Sequence, residues 1–161
     1  MSIPSLLIID DDKEYLDLLH EALEENFKVK CANSLQEAEQ ILSNKEFFDI
    51  ALIDEHIGKD KGSNWIKAKT EQNTVATSFV LYSGLATEDT IIKGMECGAD
   101  DFLAKPISLL ALNEKLKKLI TYQDKIHSFE SEIYSKDRVI NVSMAQASKY
   151  GSCMQLTSRL N

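Results

Sequence analysis

The sequence predicts an α/β protein with a doubly wound, five-stranded parallel sheet. Five short apolar segments alternate with segments of helical periodicity, at intervals of roughly 20 to 25 residues. Acidic or hydroxyl-bearing residues end or follow three of the apolar segments, in the region where parallel sheets of this class bind ligands. The composition agrees, since 43% hydrophobic and 27% charged residues in 161 are ordinary for a globular domain.

The five predicted strands are short and rich in Ile, Leu, Val or Phe. They are Ser5–Asp10, Phe27–Ala32, Asp49–Asp54, Ser78–Ser83 and Asp101–Ala104. Because helical segments separate them, the connections are expected to be right-handed βαβ crossovers, which make the strands parallel. Residues at the carboxyl ends of the strands then lie at one edge of the sheet.

The first two predicted helices carry capping signals at their amino ends. Asp12 precedes the first helix, about Lys13 to Glu25, and has the position of an N-cap rather than of a ligand. Ser34 opens the second helix and, with Glu37 three residues later, forms a capping box. Apolar residues recur on one face of each helix, so both are predicted to pack on the sheet.

The third and fourth helices are placed by the same periodicity. The third begins near Gly62, with Trp65 directed inward. The fourth begins at Thr87 and closes at Cys97-Gly98, where the glycine fits a left-handed C-cap.

The charge distribution, the length of the apolar run and the cysteine spacing exclude several classes of protein. The net charge is -8, with -11 in residues 1–106 and +3 in residues 107–161, and no Arg-rich patch occurs, so direct nucleic-acid binding is not predicted. The apolar run near the amino terminus is too short for a membrane span or a signal peptide. Three cysteines without CxxC spacing give little support for disulfides or zinc. We therefore expect a cytoplasmic protein outside the membrane.

Oxygen-bearing side chains stand at the carboxyl ends of three predicted strands. Asp10 and Asp11 belong to the first, Asp54 to the third and Ser83 to the fourth. Crowded carboxylates repel one another unless a cation holds them ionised, so the cluster predicts a divalent metal site, and Mg²⁺ prefers such oxygen ligands. Lys105, after the fifth strand, adds a fixed positive charge.

This combination predicts the transfer of a phosphoryl group to an aspartate. A divalent ion, the ammonium of Lys105 and the hydroxyl of Ser83 would neutralise the equatorial oxygens of the phosphoryl group in flight. Asp54 is the predicted nucleophile, because a carboxylate can take a phosphoryl group as an acyl phosphate.

Residues 5 to about 122 resemble the receiver domains of two-component response regulators, which have a flavodoxin-like fold of the CheY-like type. The matching positions are Asp10-Asp11, Asp54, Gly62 eight residues after it, Ser83 followed by Gly84, and Phe102 in the segment that ends at Lys105-Pro106. The resemblance implies a phosphorelay module that catalyses its own phosphorylation and does not turn over small molecules. Its phosphoryl donor would be a histidine kinase or a histidine phosphotransfer protein.

The resemblance also implies a role for each site residue. The metal ligands would be oxygens of Asp10, Asp11 and Asp54 and the backbone carbonyl of His56. Ser83 and Phe102 would form the switch, with Ser83 moving toward the phosphoryl oxygens and Phe102 rotating inward. The face of the fourth helix, fifth strand and fifth helix would carry the signal.

Two further expectations come from the resemblance. The Lys105-Pro106 peptide bond is expected to be cis. Gly58 stands where the family usually has proline, four residues after the acceptor, which predicts a looser loop.

The last 55 residues predict one long helix. Apolar residues recur at threes and fours in a heptad-like seam that includes Leu109, Leu112, Leu116, Leu119, Gln123 and Ile126. A helix of this length would extend about 80 Å at 1.5 Å per residue, and its apolar stripe needs a partner. We therefore expect a receiver domain over residues 1–122 and, over 107–161, an extended helix that forms a homodimeric coiled coil.

Alternatives remain for the tail and for the function. The tail alternative is a fifth helix that ends near Tyr122, followed by an unstructured segment. The chain stops at Asn161 without an obvious cap, which suggests a truncated protein or the upstream module of a longer one. One functional alternative is a receiver-like dimerisation module without phosphorylation, although all five functional positions are filled. Another is a haloacid-dehalogenase-type phosphatase, disfavoured by Glu14 and by the position of Lys105 after its acidic pair.

Overall fold

The computed structural model describes residues 3–44, 46–72, 77–85, 87–126, 128, 129 and 131. It contains two compact units, Met1–Ile120 and Thr121–Asn161. The first unit holds the sheet, and the described residues of the second unit are all helical.

Five parallel strands form the main sheet, as the sequence predicts, and two very short strands were not predicted. In chain order the strands are β1 (Ser5–Ile9), β2 (Lys28–Ala32), β3 (Ile50–Asp54), β4 (His56–Ile57), β5 (Asp60–Lys61), β6 (Ser78–Ser83) and β7 (Asp101–Ala104). The order across the main sheet is β2-β1-β3-β6-β7, and β4 pairs with β5 in an antiparallel hairpin. Gly58 turns this hairpin with φ of 59°.

The helices begin where the capping signals predict. They are α1 (Lys13–Leu23), α2 (Leu35–Ser43), α3 (Gly62–Glu71), α4 (Glu88–Glu96) and α5, residues 109–126. The Asp12 carboxylate accepts from the Tyr15 N–H at 3.1 Å, and the Ser34 hydroxyl accepts from the Glu37 N–H at 3.2 Å. Gly98 has φ of 93°, which confirms the left-handed cap after α4.

Two apolar cores cover the two faces of the sheet, which is the doubly wound arrangement. Alternate residues of the fully buried strand β3 divide between them, with Ala51 and Ile53 in one core and Ile50 and Leu52 in the other. Helices α2 and α3 contribute to the first core together with Cys97, the residue that caps α4, and α1 and α5 contribute to the second. With helices on both faces, the polar side chains that follow the strands can gather at the edge of the sheet.

Helix α5 forms the first part of the helix predicted for residues 107–161. Leu112 and Leu116 are 1% and 0% exposed in the second core, so this part of the apolar seam packs on the protein's own sheet. Helical residues continue to residue 126, past the end near Tyr122 that the alternative predicts. The coiled coil predicted for residues beyond 131 lies outside the described residues. No helix in the described part of the chain is long and apolar enough to cross a membrane.

Candidate functional site

The predicted acids and the predicted lysine lie together at the carboxyl edge of the main sheet. One carboxylate oxygen from each of Asp10, Asp11 and Asp54 lies within 4.8 Å of the other two. Asp10 and Asp11 follow β1, Asp54 ends the neighbouring strand β3, and Lys105 follows β7. The parallel order of the strands therefore brings together residues that are up to 95 positions apart in the chain.

Asp10 is the most buried member of the cluster, with 1% of its surface exposed. Its Oδ1 accepts a hydrogen bond from the Asp12 N–H at 2.9 Å. Its Oδ2 accepts two, from the Tyr82 hydroxyl at 2.5 Å and from Lys105 Nζ at 2.9 Å. A buried carboxylate that is this well supplied with donors keeps one orientation.

Lys105 lies between two acids and two aromatic rings. Its Nζ is 2.9 Å from Asp10 Oδ2 and 3.3 Å from Asp54 Oδ1. The same ammonium lies 5.0 Å from the centroid of the Tyr15 ring and 4.2 Å from that of Tyr82, within the range of cation–π attraction. These contacts fix the cation beside Asp54. The Lys105-Pro106 peptide bond is cis, as the resemblance implied.

Asp11 is held by the loop that follows β3. Its Oδ2 accepts a hydrogen bond from the backbone N–H of Gly58 at 2.8 Å. Proline has no N–H and cannot adopt φ of 59°, so the usual family residue could not make this contact in this conformation. The glycine that predicted a looser loop instead connects the loop to a carboxylate of the cluster.

The cluster holds more negative than positive charge. Burial raises the pKa of the Asp54 carboxyl, the Lys105 ammonium lowers it, and the Asp10 carboxylate raises it again. In the described structure Asp10 and Asp54 both form ion pairs with Lys105, and the Asp11 carboxylate lies beside them, so the cluster holds three carboxylates and one ammonium. The surplus of two negative charges and the all-oxygen donor set fit a divalent ion such as Mg²⁺.

Tyr82 also belongs to this cluster, although it is not among the site residues predicted from the sequence. Its side chain is 1% exposed, and burial together with the Asp10 carboxylate raises its pKa, so the hydroxyl stays protonated and acts as a donor. Tyr82 pairs in register with Asp54 on β3. The sequence feature that could have identified Tyr82 is its position directly before Ser83, because this position places a phenol beside the strand ends that carry the acids.

The start of α3 is built closely against the site. A Cβ on Gly62 would collide with the backbone carbonyl oxygen of Asp54, so glycine allows the helix to begin here. Glu55 caps the helix, because its carboxylate accepts from the N–H and the hydroxyl of Ser63, each at 3.0 Å. Glu55 therefore has a structural role in the loop that follows β3. The side chain of His56 is exposed, while its backbone lowers the pKa of the Asp54 carboxyl.

Ser83 and Phe102 occupy neighbouring strands. Ser83 ends β6 and is fully buried, and its Oγ accepts from the N–H of Leu85 at 3.1 Å. Phe102 on β7 is half-buried against the first core. A Cβ on Gly94 in α4 would lie 3.0 Å from both the Phe102 ring and Leu81, so glycine leaves the aromatic its room.

Comparisons with known proteins agree with this fold. Residues 6–117 match the family described as the response regulator receiver domain. The chain is 32% identical over 133 residues to the nisin biosynthesis regulatory protein NisR of Lactococcus lactis subsp. lactis, covering 80% of this chain and 56% of NisR. It is 29% identical over 159 residues to the transcriptional regulatory protein CpxR of Escherichia coli K12, covering 94% of this chain and 67% of CpxR.

A solved structure shows the same fold. The CheY-like receiver domain protein from Methanospirillum hungatei JF-1 superposes with a TM-score of 0.70 and 29% identity, covering 77% of this chain and 98% of that one. The chain spans only 56% of the length of NisR. Since the family match covers most of the chain, this protein belongs to the response regulator receiver domain family of two-component signalling proteins.

Proposed function

We propose that this chain accepts a phosphoryl group on Asp54 from a histidine kinase or a histidine phosphotransfer protein, in a reaction that requires Mg²⁺. The observation that carries the proposal is a cluster of three carboxylates, two of them buried, around a single ammonium. A purely structural cluster would be expected to balance its buried charges within the chain.

The proposed metal ligands are carboxylate oxygens of Asp10, Asp11 and Asp54 and the backbone carbonyl oxygen of His56. Bound Mg²⁺ would supply positive charge for the oxygens of the transferring phosphoryl group. The exposure of the His56 side chain supports a role for its backbone rather than its imidazole.

In the proposed transfer Asp54 acts as the nucleophile. An oxygen of its carboxylate forms a bond to phosphorus while the bond between phosphorus and the histidine nitrogen of the donor breaks. The leaving imidazole keeps the electron pair and takes up a proton from solvent. Lys105, now 3.3 Å from Asp54 Oδ1, would remain beside the acyl phosphate and pair with its oxygens.

The proposed output is a change at the face formed by α4, β7 and α5. The Ser83 hydroxyl would give up the N–H of Leu85 and bind a phosphoryl oxygen, and Phe102 would turn inward. On α4 this face has exposed apolar side chains, namely Ile91, Ile92 and Met95. We propose that it or the C-terminal helix mediates a homodimer in the cytoplasm, without direct contact to nucleic acid or membrane.

The test is labelling with acetyl phosphate and Mg²⁺, read by intact mass. We expect one added phosphoryl group on wild type that hydroxylamine removes, and none on Asp54→Ala. The matched control is Asp49→Ala, an exposed acid at the opposite edge of the sheet, which should label normally. An unlabelled wild type, or a labelled Asp54→Ala, would contradict the proposal. An unlabelled wild type that still dimerises would support a receiver-like dimerisation module instead.

Dimerisation is a separate measurement on the full chain. Analytical ultracentrifugation with and without beryllofluoride and Mg²⁺ should show a change in the fraction of dimer. The same fraction in both conditions would contradict control of assembly by phosphorylation and leave labelling of Asp54 unaffected.

A further inference from the structure

We infer that Tyr82 is a positioning residue for the metal: its hydroxyl and Lys105 together occupy Asp10 Oδ2, which leaves Oδ1 to coordinate the ion and favours Mg²⁺ over Ca²⁺. The inference rests on the proposed metal site and adds to it a determinant of cation selectivity. It concerns a residue outside the set of acids and the lysine described for the site.

The first step is the occupancy of the two oxygens of Asp10. A carboxylate oxygen has two lone-pair directions, so it accepts about two strong hydrogen bonds. Oδ2 has two donors, the Tyr82 hydroxyl at 2.5 Å and Lys105 Nζ at 2.9 Å. Oδ1 has one donor among the described residues, the Asp12 N–H at 2.9 Å, and so keeps a direction for a metal ion.

The second step is the rigidity of the phenol. Tyr82 is 1% exposed, its ring packs in the second core, and its strand is hydrogen-bonded on both sides, to β3 and to β7. The Tyr15 ring lies 6.3 Å from it and the Lys105 ammonium 4.2 Å from its centroid. A donor fixed in this way constrains the rotation of the carboxylate that accepts from it, as outer partners of metal ligands do.

The third step is the difference between the two ions. Mg²⁺ requires nearly ideal octahedral geometry at about 2.0–2.1 Å, whereas Ca²⁺ accepts irregular sites and carboxylates that bind through both oxygens, at about 2.3–2.6 Å. A carboxylate that is held in one orientation, with one oxygen free to coordinate, suits Mg²⁺. Loss of the Tyr82 hydroxyl frees one lone-pair direction on Asp10 Oδ2 and lets the carboxylate rotate. This change weakens the binding of Mg²⁺ more than the binding of Ca²⁺.

The experiment is calorimetric titration of the full chain with Mg²⁺ and, separately, with Ca²⁺. In Tyr82→Phe we expect the Kd for Mg²⁺ to rise about tenfold, while the Kd for Ca²⁺ changes less than about threefold. The matched control is Tyr15→Phe, which keeps the ring beside Lys105 and should leave both constants as in wild type. Circular dichroism establishes that each variant is folded.

The outcomes separate this inference from the proposed function. An unchanged ratio of the two constants in folded Tyr82→Phe would overturn the inference, and so would an equal weakening of both ions, which indicates general loosening. Either result would leave labelling of Asp54 in wild type intact. Absence of Mg²⁺ binding by wild type would overturn both. If Tyr82→Phe did not fold, the same ratio in Tyr82→Met would decide, since it also lacks the hydroxyl.

Discussion

The two edges of the parallel sheet both carry hydrogen-bonded aspartates, but only one edge concentrates charge. At the amino edge Asp49 is exposed, and its Oδ2 accepts from the N–H and the hydroxyl of Ser5, each at 2.7 Å. At the carboxyl edge Asp10 is buried, accepts from an ammonium and a phenol, and lies beside two more carboxylates.

The difference separates a structural carboxylate from a functional one. Neutral donors on β1 hold Asp49, and their contact ties the start of β1 to the residue before β3. The carboxyl edge instead buries two carboxylates that share one ammonium, which costs stability that a bound cation can return. Both aspartates accept hydrogen bonds, so charge balance under burial is the informative quantity.

Removal of the shared cation should have the largest effect. Lys105→Met leaves Asp10 and Asp54 without their ammonium, and we expect the free energy of unfolding to fall by about 3 kcal/mol without Mg²⁺. The control is Lys30→Met, which breaks the exposed pair with Glu46 and should cost less than about 0.5 kcal/mol. Urea unfolding measures the free energy of unfolding of both variants. An equal fall in the two variants would contradict the distinction between the edges.

Mg²⁺ should raise the free energy of unfolding of wild type, and the increase should depend on the carboxyl edge alone. At 100 times its Kd the ion should raise the free energy of unfolding of wild type by about 2.7 kcal/mol. Asp11→Asn should lose most of this increment, and because Asp11 is exposed its stability without the ion should change little. Asp49→Asn should keep the full increment. A Mg²⁺ increment that survives in Asp11→Asn would contradict the proposed ligand set.

The pH dependence of Asp54 should show the cost of the buried charge directly. Its raised pKa means that the native state holds the proton more tightly than the unfolded state, so stability falls as pH rises from the ordinary value of 3.8 through the raised value. Asp54→Asn removes this loss, and without Mg²⁺ it should be more stable than wild type at pH 7 by on the order of 1 kcal/mol.

Unfolding of wild type and Asp54→Asn at several pH values checks this expectation. The advantage of the variant should shrink as the pH falls toward 3.8, where both states of wild type take up the proton. An advantage that is constant over this range would mean that Asp54 is not the group responsible.

The sequence was sufficient for the sheet and for the position of the acids. Asp10 and Asp54 each follow a buried apolar run, and parallel topology alone brings such positions together. The β4–β5 hairpin could not be predicted, because strands of two residues give no alternating pattern, and only Gly58 marks the turn.

Other features depend on contacts that a local pattern does not contain. The hydroxyl of Tyr82 donates to Asp10, 72 residues away, so no local pattern around Tyr82 marks it as a site residue. The periodicity of Leu112 and Leu116 predicts an apolar face, but the same spacing serves a coiled coil and a helix that packs on its own sheet. Only the tertiary structure distinguishes these partners.

The smallest expected effect lies at the amino edge. Ser5→Ala removes a hydroxyl that donates to Asp49 Oδ2 at 2.7 Å and accepts from the Asp49 N–H at 3.1 Å, and water can replace both contacts at this exposed position. The free energy of unfolding should therefore fall by only about 0.5–1 kcal/mol. The same loss should appear with and without saturating Mg²⁺, since the contact involves no carboxylate of the metal cluster. A loss of unfolding free energy that depends on Mg²⁺ would show that the two edges are coupled through β1 and β3. The amino edge would then contribute to metal binding at the carboxyl edge.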